Sequence, residues 1–307
     1  MINVYALDPE LLTNWSDFRY FISCFGYDKG RLIARYPNKW KKRIYDSVQG
    51  SPVEKKRIEI ALQRIDDRIV RQKNREFDGD SNWLENAIKE NAVRPFQAIV
   101  SRQATEKSVA NLIHADNIED TTDYDTLPAD DARQFWKAPI SKVVERDAAT
   151  MAKEVADLVK AGETIRFVDG YFGPDALQYF EPFKAFMGLF DNRDLTSLQV
   201  EFHCRCITDE IYFRGKCTDW VAPSIPAGLQ VKFYRWQEDQ MHNRFVLTEK
   251  GGVAFLEGLA GYRGTGRKTD VIALLHRDTV DTLNREFTAD TTEMTLVDVI
   301  EIDGKMQ

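Results

Sequence analysis

A chain of 307 residues, 43% hydrophobic, 30% charged and 11% aromatic, has material for buried cores and a length that suggests two domains. Its net charge of −7 argues against a protein coated in basic charge for nucleic acid, though not against a local basic groove. No apolar run reaches the roughly 18 residues of a membrane helix. The start, MINVYALDPELLTNW, lacks the pattern of a cleaved signal, and four cysteines make no disulfide framework, so a reducing cytoplasm is expected.

Charge is uneven along the chain. Residues 1–75 hold 16 Lys and Arg against 9 Asp and Glu, a basic quarter suited to phosphates or to an acidic partner, or simply to solvated helices. The cluster Lys39, Trp40, Lys41, Lys42 and Arg43 sets an aromatic ring among basic side chains. That arrangement serves to stack a base and neutralise phosphates, and it equally describes a helix with a core tryptophan. Ser51-Pro52-Val53-Glu54 is a helix start with a capping box. Ile58, Ala61, Leu62, Ile65 and Ile69 follow at helical spacing. Arg57, Arg64, Arg68, Arg71 and Arg75 align along another face of the same predicted helix, either as a ridge that tracks DNA or as a solvated surface.

From Asn82 to Arg102 the pattern predicts a helix, a break near Pro95, then more helix or an extended run. Residues 116–132 are acidic and poor in apolar groups, the best candidate for an exposed linker. A helix from about Ile140 to Ala161, ended by Gly162, leads into a second domain. The expected organisation is therefore a mainly helical domain over 1–135 followed by a domain over 136–307.

After Gly162 the pattern changes to strands. They are expected at Thr164–Asp169, Leu198–Ile207, Leu229–Tyr234, Met241–Thr248, Gly252–Leu256 and Asp270–Leu275, with helices near 175–189 and 279–287. A strand, a helix and then a crowd of strands imply an α+β chain with a mixed-sheet α/β sandwich in its second half. On a strand, His242 and Arg244 project to the same face. An imidazole beside a guanidinium suits phosphodiester chemistry. The ring nitrogen can attack phosphorus while the guanidinium holds two equatorial oxygens.

Spacing alone makes this weak, but the surroundings add to it. The stretch from Ile165 to Phe287 resembles a phospholipase D-like domain. The likeness rests on Val168-Asp169-Gly170-Tyr171-Phe172, on the His-x-Arg strand followed by Gly251-Gly252-Val253-Ala254-Phe255, on Gly258-Leu259, and on Asp270 before a buried strand. The resemblance implies a metal-independent phosphohistidine mechanism, with one histidine as nucleophile and a second, from another copy of the motif, as general acid. It departs from the H-x-K, four residues, D signature: Arg244 stands for the lysine, Glu249 for the aspartate, and no G-S-x-N segment follows.

Only one copy of the motif is present, so the second histidine has to come from a homodimer or from His203 within the chain, on the strand expected over Leu198–Ile207. Sequences of this kind look like phospholipase D-like proteins found beside bacterial anti-phage and restriction systems. The expectation is a nuclease acting through His242, Arg244, His203, Glu249 and Asp270, with Arg263, Arg267 and Lys268 in a glycine-rich loop touching the nucleic-acid backbone. The alternative is an inactive copy that binds nucleic acid or scaffolds a complex. No cofactor is implied, and His203, Cys204, Cys206 and Cys217 do not converge on one ion because alternate residues face opposite ways.

Overall fold

The computed structural model describes residues 1–71, 75–119, 133–191 and 193–304. The chain forms two compact units, Ile2–Pro139 and Ile140–Gln307 with Met1, so the division falls four residues beyond the expected 135/136. Among the described residues no helix is long and apolar enough to cross a membrane.

The first unit has, besides its helices, a central sheet that the expectation of a mainly helical domain left out. Strands β1 (Asn3–Leu7), β2 (Arg31–Ala34), β3 (Ile69–Val70), β4 (Ile99–Ser101) and β5 (Leu112–His114) pair in parallel in the order β3-β2-β1-β4-β5. They are two to five residues long and largely buried, so they read as short apolar runs with no alternation to announce a strand. The helices between them are α1 (Trp15–Ser23), α2 (Trp40–Ser47), α3 (Pro52–Arg64) and α4 (Trp83–Val93), and α5 (Asp116–Glu119) and α6 (Arg133–Trp136) follow β5.

One face of the sheet, with Tyr5, Leu7, Ile33 and Val100, packs on Phe18, Phe21, Trp40, Ile44 and Ile58 of α1, α2 and α3. The other, with Ala6, Ala34 and Ile99, packs on Trp83, Leu84 and Ala87 of α4. Ser51 and Glu54 form the expected capping box at α3, and Asn82 caps α4. Because α3 ends at Arg64, the five-arginine face does not lie on one helix; Arg75 instead pairs with Glu90 at 3.3 Å. Most of the acidic stretch, residues 120–132, lies outside the described residues.

The second unit has one eight-stranded mixed sheet in the order β13-β9-β8-β7-β10-β11-β12-β6. Its strands are β6 (Ser141–Glu145), β7 (Thr164–Asp169), β8 (Gln199–Arg205), β9 (Gln230–Trp236), β10 (Arg244–Thr248), β11 (Gly252–Phe255), β12 (Thr269–Leu274) and β13 (Leu296–Asp303). The helices are α7 (Ala148–Ala161), α8 (Leu177–Met187), α9 (Glu210–Lys216) and α10 (Arg277–Glu286). The single helix expected over 140–161 is an edge strand, β6, followed by α7. Asp147 separates them and accepts from the Thr150 amide as N-cap. β13 went unread in the sequence.

Strands β7, β8 and β9 run parallel, and β10 returns antiparallel beside β7. Beneath them lies a layer of Phe167, Phe183, Phe202 and Phe233, with ring centroids 4.7 to 6.5 Å apart. On the opposite face, Val168, Trp236 and Leu247 pack on Leu283 of α10 and on Phe287 just beyond it. The chain is thus a mixed α/β protein with two sheets.

Candidate functional site

The register decides where the chemistry collects. Arg244, the first residue of β10, lies opposite Asp169, the last of β7, and Arg205 closes the parallel neighbour β8. Open α/β sheets bind ligands outside the carboxyl ends of parallel strands, next to a change in strand order. Here that edge carries Arg205, Tyr171, His242 and Arg244. His242 is exposed on the segment just before β10 rather than on the strand itself.

Arg205 organises the edge. Its Nε donates to the Met241 carbonyl at 2.6 Å and its Nη2 to His242 Nδ1 at 2.6 Å. The guanidinium carbon lies 4.2 Å from the ring centroid of Tyr171, which is 50% exposed, and that of Arg244 lies 5.4 Å from it. Arg244 Nη1 donates to the Leu256 carbonyl at 2.6 Å. Arginine has donors only, so Nδ1 of His242 must accept. The neutral ring then carries its proton on Nε2, turned away from Arg205, and neither nitrogen offers a free lone pair.

Asp169 holds the floor. It accepts from the amides of Leu259 (2.7 Å) and Tyr171 (2.9 Å) and from the Tyr179 hydroxyl (3.4 Å). Burial pushes its carboxyl above the ordinary range, opposed by those amides and by Arg244. Gly258 closes over it with φ +95°, and a Cβ there would meet Asp169 Oδ2 at 2.7 Å and Arg244 Cδ at 3.0 Å. A cleft of about 450 Å³ opens beside this floor, lined among others by Arg146, Tyr171, Arg244, Glu257 and Arg263. A second groove, about 410 Å³, runs past His242 and Asn243 and meets the first at Arg244.

The other expected site residues fall elsewhere. His203 is fully buried, stacked on Tyr234 and Trp236. Its Nδ1 accepts from Trp236 Nε1 at 3.1 Å and its Nε2 faces Glu201 at 3.3 Å. Burial holds its pKa down despite Glu201, and both ring nitrogens are engaged in the interior rather than at the rim that carries His242. Glu249 sits at the far end of β10, where it accepts from the amides of Glu163 and Thr164 at 3.1 to 3.2 Å. It ties the start of β7 and is roughly 15 Å from Arg244 along the strand.

Asp270 is buried, and its Oδ1 accepts from the Glu257 amide at 2.9 Å. Its Oδ2 is buried without a partner, and desolvation raises its pKa. Through the Glu257 amide it positions the loop before Gly258.

The basic candidates divide in the same way. Trp40 is fully buried and donates from Nε1 to the Leu7 carbonyl at 2.7 Å, so it stacks no base. Lys41 pairs with Asp66 at 2.8 Å and Arg43 lies over Phe77 at 4.4 Å, while Lys39 and Lys42 remain exposed. In the glycine-rich loop, Arg263 donates to the Leu177 carbonyl at 2.7 Å and lines the cleft. Arg267 faces Glu257 at 3.6 Å and Lys268 faces Glu145 at 3.5 Å. Arg205 was missed in the sequence. The signal was its place two residues after His203 at the strand's end, where alternation puts both on one face.

No protein-family model and no curated protein matches the sequence. Among solved structures, the chain is similar to TrmBL2, an archaeal chromatin protein whose structure shows a novel mode of DNA binding. That likeness has a TM-score of 0.28 and 11% identity, and covers 50% of this chain and 52% of the other. The chain therefore spans about half the length of the structure it matches.

Proposed function

We propose that the second unit is a phospholipase D-like domain whose strand-end cleft binds the phosphate backbone of a nucleic acid without cleaving it. The observation that carries this reading is the Arg205–His242 hydrogen bond of 2.6 Å. It occupies the imidazole lone pair that a nucleophile needs and turns the Nε2 proton outward, where a phosphate oxygen accepts it. Arg244 adds a guanidinium fork on the same rim, and charge-assisted bonds of this kind are the strong ones in phosphate recognition. Half-exposed Tyr171, flanked by two guanidinium groups, supplies a ring on which an unpaired base can stack.

A second reading, the phosphodiesterase, is favoured by the exposure of His242 beside Arg244 on one rim. It requires His242 to leave Arg205 and a second imidazole to arrive from another copy of the chain. Binding of a fluorescein-labelled single-stranded oligonucleotide, followed by incubation with and without excess chelator, separates the two. Binding that is lost in Arg205→Gln and Arg244→Gln, with the oligonucleotide intact, is the expected result. Cleavage abolished by His242→Ala would establish the phosphodiesterase instead. Absence of binding by the native chain overturns both.

A further inference from the structure

The first unit carries a second recognition feature, unrelated to the strand-end cleft. Helices α1 and α3 pack on the same sheet face, and between them runs an open trough of about 520 Å³. Its floor is apolar, with Trp15 from α1 and Ile60 and Ala61 from α3; Ile60 is 40% exposed. Its walls are arginines: Arg19 on α1, Arg57 and Arg64 on α3. All three are exposed, and among the described residues no carboxylate lies within 4 Å of any of them. Elsewhere on α3 the cation Lys56 is paired, with Glu59 at 2.9 Å.

On α3 the order Arg57, Ile60, Ala61, Arg64 spaces an apolar pair between guanidinium groups at i, i+3, i+4 and i+7, a single helix face. A merely solvated face would carry mixed charge around polar residues, whereas this one sets unpaired positive walls along an apolar floor. We infer that this trough docks an acidic amphipathic helix of a partner protein. Such a helix would have its apolar row on Trp15 and Ile60 and its carboxylates against Arg19, Arg57 and Arg64. A two-helix trough receives a third helix by seating its ridge in the groove. The 13 residues of α3 give it a length of about 20 Å. A bilayer is a poorer match, because among the apolar lining residues only Ile60 is exposed, far less than the broad apolar face that an interfacial helix buries. The floor of Trp15, Ile60 and Ala61 offers apolar area that a row of leucines buries and a phosphate backbone does not.

The test uses the full chain and two fluorescein-labelled helical peptides of about 14 residues. Both have leucines at i, i+3, i+4 and i+7, one flanked by glutamates and the other by lysines. The glutamate peptide binds, more weakly as salt rises, and binding changes the fluorescence of Trp15, a change absent in Trp15→Phe. The double variant Arg57→Glu/Arg64→Glu weakens the glutamate peptide by about tenfold or more and gains affinity for the lysine peptide. Ile60→Asp weakens both pairings while circular dichroism stays native.

The inference fails if the two peptides bind the native chain alike, or if the glutamate peptide does not bind at about 1 mM. It fails too if the charge reversal leaves the preference unchanged. Binding of phosphatidylserine vesicles or of a single-stranded oligonucleotide that the double variant alone abolishes, with glutamate-peptide binding intact, reassigns the trough and overturns it.

Discussion

Replacing Arg244 by glutamine keeps the first part of the stem while removing one positive charge, and the Nη1 donor to the Leu256 carbonyl, from the meeting point of the two clefts. The cleft is lined by three guanidinium groups, Arg146, Arg244 and Arg263, so a single strand contacting all of them releases about three counterions. The expected slope of log K against log salt is then about −2, at roughly 0.7 per phosphate. Raising salt from about 50 to 200 mM should weaken native binding by roughly twentyfold.

Arg244→Gln forfeits one charge-assisted hydrogen bond, worth about 1.5–3 kcal/mol, or roughly a ten- to hundredfold loss of affinity. It should also flatten the slope by about 0.7. Fluorescence anisotropy titrations at four salt concentrations measure both quantities together. Lys268→Gln, at a side chain already facing Glu145, serves as the control and should stay within a factor of about two. An unchanged slope in Arg244→Gln would refute the placement of the phosphate at Arg244, whatever happened to the affinity.

Gly258→Ala should cost about 1–3 kcal/mol of stability in urea unfolding and weaken oligonucleotide binding, because φ is +95° and the new Cβ presses on both Asp169 and Arg244; native binding by this variant would mean that the Gly258 loop does not brace Arg244. Asp8 predicts a pH effect. Burial raises its carboxyl from 3.8 to about 6 despite the Ser101 hydroxyl and Glu10 amide, so the native state keeps a proton that the unfolded chain releases. This contribution to stability is present below pH 3.8 and is lost as pH rises through about 6, by about 3 kcal/mol in all. Asp8→Asn should remove that pH dependence and stabilise the first unit at pH 7, as read by chemical unfolding from pH 4 to 8; a variant less stable than the native chain at pH 7 would contradict the sign. Trp40→Ala should destabilise the first unit by about 3–5 kcal/mol yet leave oligonucleotide affinity intact at temperatures where the chain stays folded, and a selective loss of affinity would restore Trp40 to the binding surface.

Local signals reached far in the second half of the chain. Alternation in Leu198–Ile207 gives β8 because one face meets the phenylalanine layer and the other meets α10 and its neighbours. Likewise, the capping box at Ser51 gives the start of α3 because the residues that satisfy the first helical amides sit within four positions of one another. The His-x-Arg spacing also put Arg244 at the start of a strand, with His242 on the segment just before it. In the first half the same reading failed, since a parallel strand buried on both faces has no alternation, and runs as short as Ile69–Val70 pass for the end of a helix.

What the sequence determined by itself was therefore the local elements, and the identity of two of the groups at the site. The tertiary structure alone decided the company those groups keep. Arg205 lies 37 residues from His242 in the chain, and only the pairing of β7 with both β8 and β10 brings the guanidinium to Nδ1. That pairing fixes which imidazole nitrogen holds the proton. The same packing removes His203 from the rim, because a side chain two residues back on β8 falls inside the α10 face, where it is fully buried and desolvation lowers its pKa.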